Sequence, residues 1–283
     1  MRPGKLNTRD HDRGSAGLTY VYPVVSRRAG GVSVGLNLAP NKACNWRCVY
    51  CQVPGLSFGK APPLDLDLLE GELRGLLSEI VRGDWFEEHV PLGYRRLNDV
   101  AISGDGEATS SLQLPEVIER AGRVLKELDL QALDFVLITN GSLLHRAHAQ
   151  EALRHLAQLN GRVWFKLDSA TDAGQARLNT NRAGSARTRT NLQLAAELCP
   201  TWIQTMVLDW EGPSLEGEEE RAYLELLKEL LAAGTPLQGV LLYGLARPSC
   251  QPEASELKAL PEPWLRALAT KIEALGLEVR VSV

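Results

Sequence analysis

Asp99-Val100-Ala101-Ile102-Ser103, Phe135-Val136-Leu137-Ile138-Thr139 and Val163-Trp164-Phe165-Lys166-Leu167-Asp168 are three short, largely apolar runs in a chain of 283 residues, and the intervals between them decide the fold. The first interval carries Leu114, Val117, Ile118, Ala121, Val124, Leu125 and Leu128, which repeat with the 3.6-residue period of a helix over 113–128. The second predicts a helix over 147–159. Strands and helices in strict alternation build a parallel sheet.

The alternation extends outward in both directions. Upstream, 32–38 reads as a strand and 66–82 as a helix. Downstream come a helix over 186–198, a strand over 203–208, a helix over 216–233, a strand over 239–245, a helix over 262–275 and a closing strand over 277–283. A further short strand is expected over 20–25, ahead of the turn Arg28-Ala29-Gly30-Gly31. Glu218, Glu219 and Glu220 fill the first turn of 216–233, where carboxylates meet the positive end of the helix dipole, so this acidic run marks a helix start. Six strand–helix units are too few to close an eight-stranded barrel. The expected architecture is α/β, an open and partial (βα)6 barrel of the TIM type. With no internal repeat or low-complexity linker, 1–283 reads as one domain. It comprises a basic extension over 1–30, a core over 31–250, and a last helix and strand over 251–283. The extension holds Arg2, Lys5, Arg9, Arg13, Arg27 and Arg28 against Asp10 and Asp12.

A hydrophobic content of 44% supports a core of this size. A net charge of −4 argues against a protein that binds nucleic acid through bulk positive charge. Residues 1–10 are polar and basic, unlike a secretory signal, and no stretch approaches the roughly 20 apolar residues of a membrane helix. A cytoplasmic, reducing compartment is expected.

Cys44-Asn45-Trp46-Arg47-Cys48-Val49-Tyr50-Cys51 follows the first strand of the core and places three of the five cysteines in a C-x3-C-x2-C array. Three thiolates are one short of closing a tetrahedral zinc site or filling the four corners of a cubane cluster. A cluster held by three protein ligands keeps one iron open for chemistry. A zinc site would need a fourth ligand, and Cys199, Cys250, His11, His89, His145, His148 and His155 stand at no metal-ligand spacing. Structural disulfides do not suit a chain with so few cysteines and no secretory signal.

Barrels and open α/β sheets form their sites in the loops that follow the strands. The unusual residues of this chain collect there. Gly104-Asp105-Gly106-Glu107-Ala108-Thr109 follows the second core strand, and Thr139-Asn140-Gly141 ends the third. Lys166 and Asp168 end the fourth, Gln204 and Thr205 lie on the fifth, and Gly244-Leu245-Ala246-Arg247-Pro248 ends the sixth. Alternation along the fourth strand sends Val163, Phe165 and Leu167 to the outer helices, and Trp164, Lys166 and Asp168 to the interior. A lysine and an aspartate so placed form either an ion pair or ligand contacts. Thr139 and Asn140 serve either a ligand or the cap of the next helix. Segment 177–189, placed in a long loop, holds Arg177, Arg182, Arg187 and Arg189 with no acid, which suits an anionic substrate or a solvated surface. Arg247 is the better single candidate for a substrate carboxylate or phosphate.

The C-x3-C-x2-C spacing, with Tyr50 directly before Cys51, resembles the signature of the radical S-adenosylmethionine (SAM) superfamily. The resemblance implies the partial barrel and a [4Fe–4S] cluster on Cys44, Cys48 and Cys51. It also implies SAM on the open iron and reductive cleavage to methionine and a 5′-deoxyadenosyl radical that abstracts hydrogen from a substrate. An electron donor such as flavodoxin or ferredoxin is the implied partner. Segment 103–107 resembles the superfamily's GGE motif, whose backbone meets the methionine amino group. Gly106 and Glu107 match it, whereas Asp105 stands where the first glycine is usual and Ala108 where a proline is common. By resemblance the cofactor contacts are Tyr50, Gly104, Asp105, Gly106, Glu107, Thr139 and Asn140, with Lys166 toward the SAM carboxylate and Asp168 toward a ribose hydroxyl or substrate. From Tyr20 onward the chain is similar to the Fe–S oxidoreductase branch related to wyosine-forming tRNA enzymes. Asn37-Leu38-Ala39-Pro40-Asn41-Lys42-Ala43-Cys44 and Ile138-Thr139-Asn140-Gly141-Ser142-Leu143 carry that likeness. Those enzymes hold a second cluster on upstream cysteines, and residues 1–43 contain none, so their reaction does not carry over. The substrate stays open between a tRNA base and a partner protein's glycine, as for glycyl-radical activases. Outside the enzymes, an Fe–S protein without SAM chemistry is the alternative.

Overall fold

Apolar runs that alternate with apolar helical stripes have one way to bury both, which is to lay each helix on the outer face of a shared sheet. A computed structural model describes residues 6, 16–26 and 30–283. Arg2, Lys5, Arg9, Arg13, Arg27, Arg28, Asp10, Asp12, His11 and the first half of the turn expected at 28–31 lie outside the described residues. The strands are β1 (Val21–Ser26), β2 (Gly31–Leu36), β3 (Ala43–Cys44), β4 (Ser57–Phe58), β5 (Leu97–Ile102), β6 (Asp134–Thr139), β7 (Arg162–Lys166), β8 (Thr201–Val207), β9 (Leu237–Gly244) and β10 (Val279–Ser282). The helices are α1 (Leu66–Arg82), α2 (Trp85–His89), α3 (Leu114–Glu127), α4 (Ala147–Gln158), α5 (Asp172–Asn179), α6 (Ser185–Leu198), α7 (Glu218–Ala232) and α8 (Glu262–Glu273).

Eight strands form one curled sheet in the order β1-β2-β5-β6-β7-β8-β9-β10. From β2 to β10 every neighbouring pair is parallel, and each step crosses through at least one helix. This is the open half-barrel expected from the unit count. The strand expected over 20–25 is present as β1, and it pairs antiparallel with β2 at the edge. Tyr22 explains that edge. Its ring lies across Gly35, where a Cβ would come within 2.1 Å of the ring, and its hydroxyl reaches Ser103 Oγ at 2.8 Å.

Helix α3 buries Leu114, Val117, Ile118, Ala121, Val124 and Leu125, each large side chain contributing about 1.5–3 kcal/mol relative to exposure. Val163, Phe165 and Leu167 are fully buried toward the helices, as the alternation predicts. Thr205 corrects the expected active face: its hydroxyl meets Tyr223 of α7 at 2.7 Å and the Leu167 carbonyl at 2.9 Å, on the helix side of the sheet. The loop expected over 177–189 is also corrected, because Arg177 lies on α5 and Arg187 and Arg189 on α6. Among the described residues no helix is long and apolar enough to cross a membrane.

Candidate active site

The cysteine loop runs on from β3 across the open ends of the parallel strands, and four sets of polar contacts hold it. The first comes from β2 and β5. Asn37, just past β2, is buried; its amide accepts from the Ala39 and Asp105 N–H groups, each at 3.0 Å, and donates to Asp105 Oδ2 at 2.7 Å. A Cβ at Gly104 would lie 2.3 Å from Asn37 Oδ1, and one at Gly106 would lie 2.0 Å from the carbonyl of Ala43, next to Cys44. These glycines let one strand-end loop lie directly on the other. Glu107 then joins that loop to β6. Its buried carboxylate accepts from Thr109 N at 3.0 Å, Thr109 Oγ1 at 2.6 Å, Thr139 Oγ1 at 2.6 Å and Asn140 N at 2.7 Å.

The second set passes through Asn140, whose side chain donates to Asn45 Oδ1 at 2.9 Å and accepts from Ser142 Oγ at 2.7 Å, while Asn45 donates to Ser142 Oγ at 2.7 Å. Neither Thr139 nor Asn140 caps α4, whose N-cap is Arg146.

The third set gathers on Asp168. This carboxylate is 2% exposed and accepts from the Tyr50 hydroxyl, from Asn179 Nδ2 at 2.8 Å and from Met206 N at 2.9 Å. Asn179, at the end of α5, also donates to Cys48 Sγ at 3.3 Å. Trp46 N approaches Cys44 Sγ at 3.5 Å.

The fourth set is a strap, 249–253, that follows β9. Ser249 Oγ donates to the carbonyl of Val49 at 2.7 Å, Cys250 N to that of Cys51 at 2.8 Å, and Gln251 Nε2 to that of Val53 at 3.2 Å. Glu253 takes both Arg47 nitrogens, at 2.7 and 2.8 Å, in a forked pair.

Beneath the loop a cavity of about 520 Å³ reaches into the half-barrel. Cys44, Cys48 and Cys51 all line it, as do Tyr50, Gly104, Asp105, Gly106, Glu107, Thr139 and Asn140. Trp164, Lys166, Gln204, Tyr243 and Arg247 form much of the facing wall. Asp168 does not line the cavity; its carboxylate is taken up behind Tyr50. Lys166 donates to the Tyr243 hydroxyl at 3.1 Å and stands 5.0 Å from the centre of the Tyr50 ring, and it forms no close ion pair with Asp168. The choice left open for this strand is therefore settled differently for its two members: the lysine faces the cavity, and the aspartate braces the loop.

Burial pushes the Cys44 thiol up to about 12 and the Cys48 thiol up to about 11, the latter with Lys166 pulling the other way. Such burial favours the neutral thiol, and coordination to a metal would deprotonate it. Burial works against the charge of Lys166, yet Tyr243, Asp168 and Cys48 hold its pKa above the ordinary lysine value. Burial, with Asp168 next to it, drives the Tyr50 phenol well above its usual range. Among the described residues no three His, Cys, Asp or Glu side chains converge on one point as a single ion requires. Three thiols that line one cavity are the donor set a cubane cluster takes.

Among the described residues, the other thiols and imidazoles do not line this cavity. Cys199 is buried beside the Gly161 carbonyl, and Cys250 is exposed. His148 bonds to the Thr109 carbonyl at 2.9 Å, His89 stacks against Trp85, and His155 faces Glu119. Asn179, Tyr243 and the strap escaped the sequence reading, because an amide at the end of a polar helix and a loop distant in sequence carry no periodic signal. Asn37 and Asn45 lie within the motifs, where residue type alone does not distinguish a brace from a bystander.

Comparison with known proteins agrees with this geometry. Residues 38–214 match the family model of the radical SAM superfamily. A UPF0026 protein of Helicobacter pylori is 28% identical over 137 residues, which are 47% of this chain and 38% of that protein. A UPF0026 protein of Synechocystis sp. is 27% identical over 216 residues, 73% of this chain and 70% of that protein. The chain thus spans well under half the length of the Helicobacter relative it matches. A radical SAM methyltransferase from Sphaerobacter thermophilus superposes with a TM-score of 0.58 at 14% identity, covering 93% of this chain and 68% of that one. TYW1 with a lysine–pyruvate adduct bound gives 0.52 at 12% identity, over 88% and 74%. At these identities the likeness is one of fold.

Proposed function

The chain belongs to the radical SAM superfamily of enzymes, which use a [4Fe–4S] cluster and SAM, and on that footing we propose that Cys44, Cys48 and Cys51 hold the cluster at the mouth of the half-barrel. When bound, cluster and SAM supply a reductive cleavage that yields methionine and a 5′-deoxyadenosyl radical for hydrogen abstraction. The observation that carries the reading is that the C-x3-C-x2-C thiols line one cavity with the glycine loop and a lysine.

Each wall residue has work that follows from its surroundings. The backbone of 104–106 borders the cavity and offers polar groups to an ammonium, while Glu107 holds that loop in place rather than meeting the ligand. Lys166, steadied by Tyr243, offers a fixed positive charge to the SAM carboxylate. Tyr50 closes the wall beneath the motif and is held by Asp168. The N–H groups that approach Cys44 and Cys48 stabilise sulfur charge and bear on the potential of the site. Arg247, the cavity's second cation, is placed for a substrate anion. Superfamily members generally draw on an electron donor, and a flavodoxin or ferredoxin is the class we propose here. We also read the chain as one domain, since its eight long strands share one sheet.

Anaerobic reconstitution with iron and sulfide, followed by dithionite and SAM, tests the reading. The wild-type protein is expected to release 5′-deoxyadenosine, and Cys48→Ala to lose the cluster and the product together. A cluster that assembles fully on Cys48→Ala would sink the ligand assignment. A reduced cluster that yields no 5′-deoxyadenosine would sink the SAM chemistry.

A further inference from the structure

The four arginines between 177 and 189 divide into two kinds. Arg177 donates to the Trp210 carbonyl at 2.6 Å, pairs with Glu211 at 3.1 Å and stacks on the Trp210 ring; Arg189 pairs with Glu229. Arg182 and Arg187 are exposed and, among the described residues, form no ion pair. Arg146, just before α4, is in the same condition. These last three line one open groove of about 870 Å³ that the cysteine loop also borders. Its lining contains no aspartate or glutamate. Arg47 also reaches it, but Glu253 already neutralises that guanidinium. Asp172, an acid at the start of nearby α5, is engaged by Ser185 N at 2.6 Å.

We propose that this groove binds the phosphate of a nucleotide, whether free or part of a strand. Three permanently charged forks without an internal counter-charge call for an anion of more than one charge or a row of them, and guanidinium geometry matches phosphate in two-point contact. Phe58 lines the same groove at 68% exposure. A large apolar ring held in water is a platform on which a base stacks, at about 1–3 kcal/mol per base. The lining also offers neutral polar groups, from Asn45, Ser142, Thr180 and Asn181. Asn45, Trp46 and Arg47 belong to the cysteine motif, so a nucleotide held here lies against the loop that carries the thiols. That last step rests on the cluster assignment proposed above; the phosphate site itself does not.

The test uses the full-length reconstituted protein and three fluorescent probes: a nucleoside triphosphate, a short single-stranded RNA, and a glutamate-rich peptide of equal charge. The wild type is expected to bind one or both phosphate probes and to bind the peptide at least tenfold more weakly. Replacing Arg146, Arg182 and Arg187 together by alanine should weaken phosphate binding by tenfold or more, and Phe58→Ala should weaken it too. For the strand, the log-log salt slope should fall by about 1 per arginine removed. The two phosphate probes separate a free nucleotide from a strand. Equal binding by wild type and triple variant, or peptide binding as tight as phosphate binding, would overturn the inference. Iron and sulfide content is measured in the same samples. Protein that binds the probes yet assembles no cluster would break the proposed function and leave the groove intact, and the reverse result would do the opposite.

Discussion

Two buried carboxylates stand at neighbouring corners of the half-barrel rim, and they brace different things. Glu107 takes four hydrogen bonds, all from the β5 and β6 loops, and reaches the cysteine motif only through its charge, which is felt at the Cys44 thiol. Asp168 takes three, and two of them come from Tyr50 of the motif and from Asn179, which itself reaches Cys48. One carboxylate therefore builds the rim on which the loop rests, and the other fastens the loop to the rim. Residues of similar chemistry at strand ends thus differ in consequence: loss of the first should be felt as instability, and loss of the second as a loosened site.

Glu107→Ala should show the largest effect. It leaves the N–H groups of Thr109 and Asn140 buried without an acceptor, while the two threonine hydroxyls can rotate to other partners. At about 1–3 kcal/mol for each stranded group the variant should lose roughly 3–5 kcal/mol. Urea unfolding would reveal this as a large fall in midpoint at unchanged slope; an unchanged midpoint would refute the bracing role. Gly106→Ala comes next. A methyl 2.0 Å from the Ala43 carbonyl forces the two loops apart, at about 1–3 kcal/mol. Because that carbonyl adjoins Cys44, iron retained after gel filtration should fall as well.

Asp168→Asn should cost less stability, about 2 kcal/mol, and more of the site. Either orientation of the new amide sets an NH2 group against an existing donor, Met206 N on one side or Tyr50 and Asn179 on the other. The comparison predicts that iron retention falls further for Asp168→Asn than for a Glu107→Gln variant of matched stability. Equal retention at matched stability would erase the distinction between the two carboxylates.

The half-barrel was legible because its six units each repeat one pattern, an apolar run and an apolar stripe. The rim was legible in part, since position after a strand marks the loops where a site forms. What the sequence hid is polar. Helix α5 buries Gln175 and Asn179 where a helix ordinarily buries leucine, and its hydrogen bonds run through Ser169, Asn181 and Thr188, so no hydrophobic period announces it. Glu107 and Asp168 were identified as chemistry-bearing, but their type does not say whether a carboxylate meets a ligand or another part of the chain. Only the partners decide that, and they lie between 2 and 118 residues away. The strap is a stronger case, with Ser249 and Val49 joined across 200 residues.

The smallest effect belongs to the strap, and pH isolates it. Arg47, hydrogen-bonded to Glu253 in a forked pair, holds that carboxyl below its ordinary value of 4.5. A depressed folded-state pKa means that the pair's contribution is fully present above the unfolded-state value and drains away as the pH falls toward and through the lowered one. Both side chains are partly exposed, so the contribution is about 1 kcal/mol at neutral pH. Glu253→Gln should therefore be less stable than wild type by about that amount from pH 5 to 7, and the two unfolding curves should begin to converge below about pH 4.5 and meet only below the lowered pKa. A difference that stays constant into acid would mean that Glu253 acts by shape rather than by charge. In that case the strap would hold the cysteine loop through Ser249, Cys250 and Gln251 alone, by backbone carbonyls that no change of pH in this range can touch.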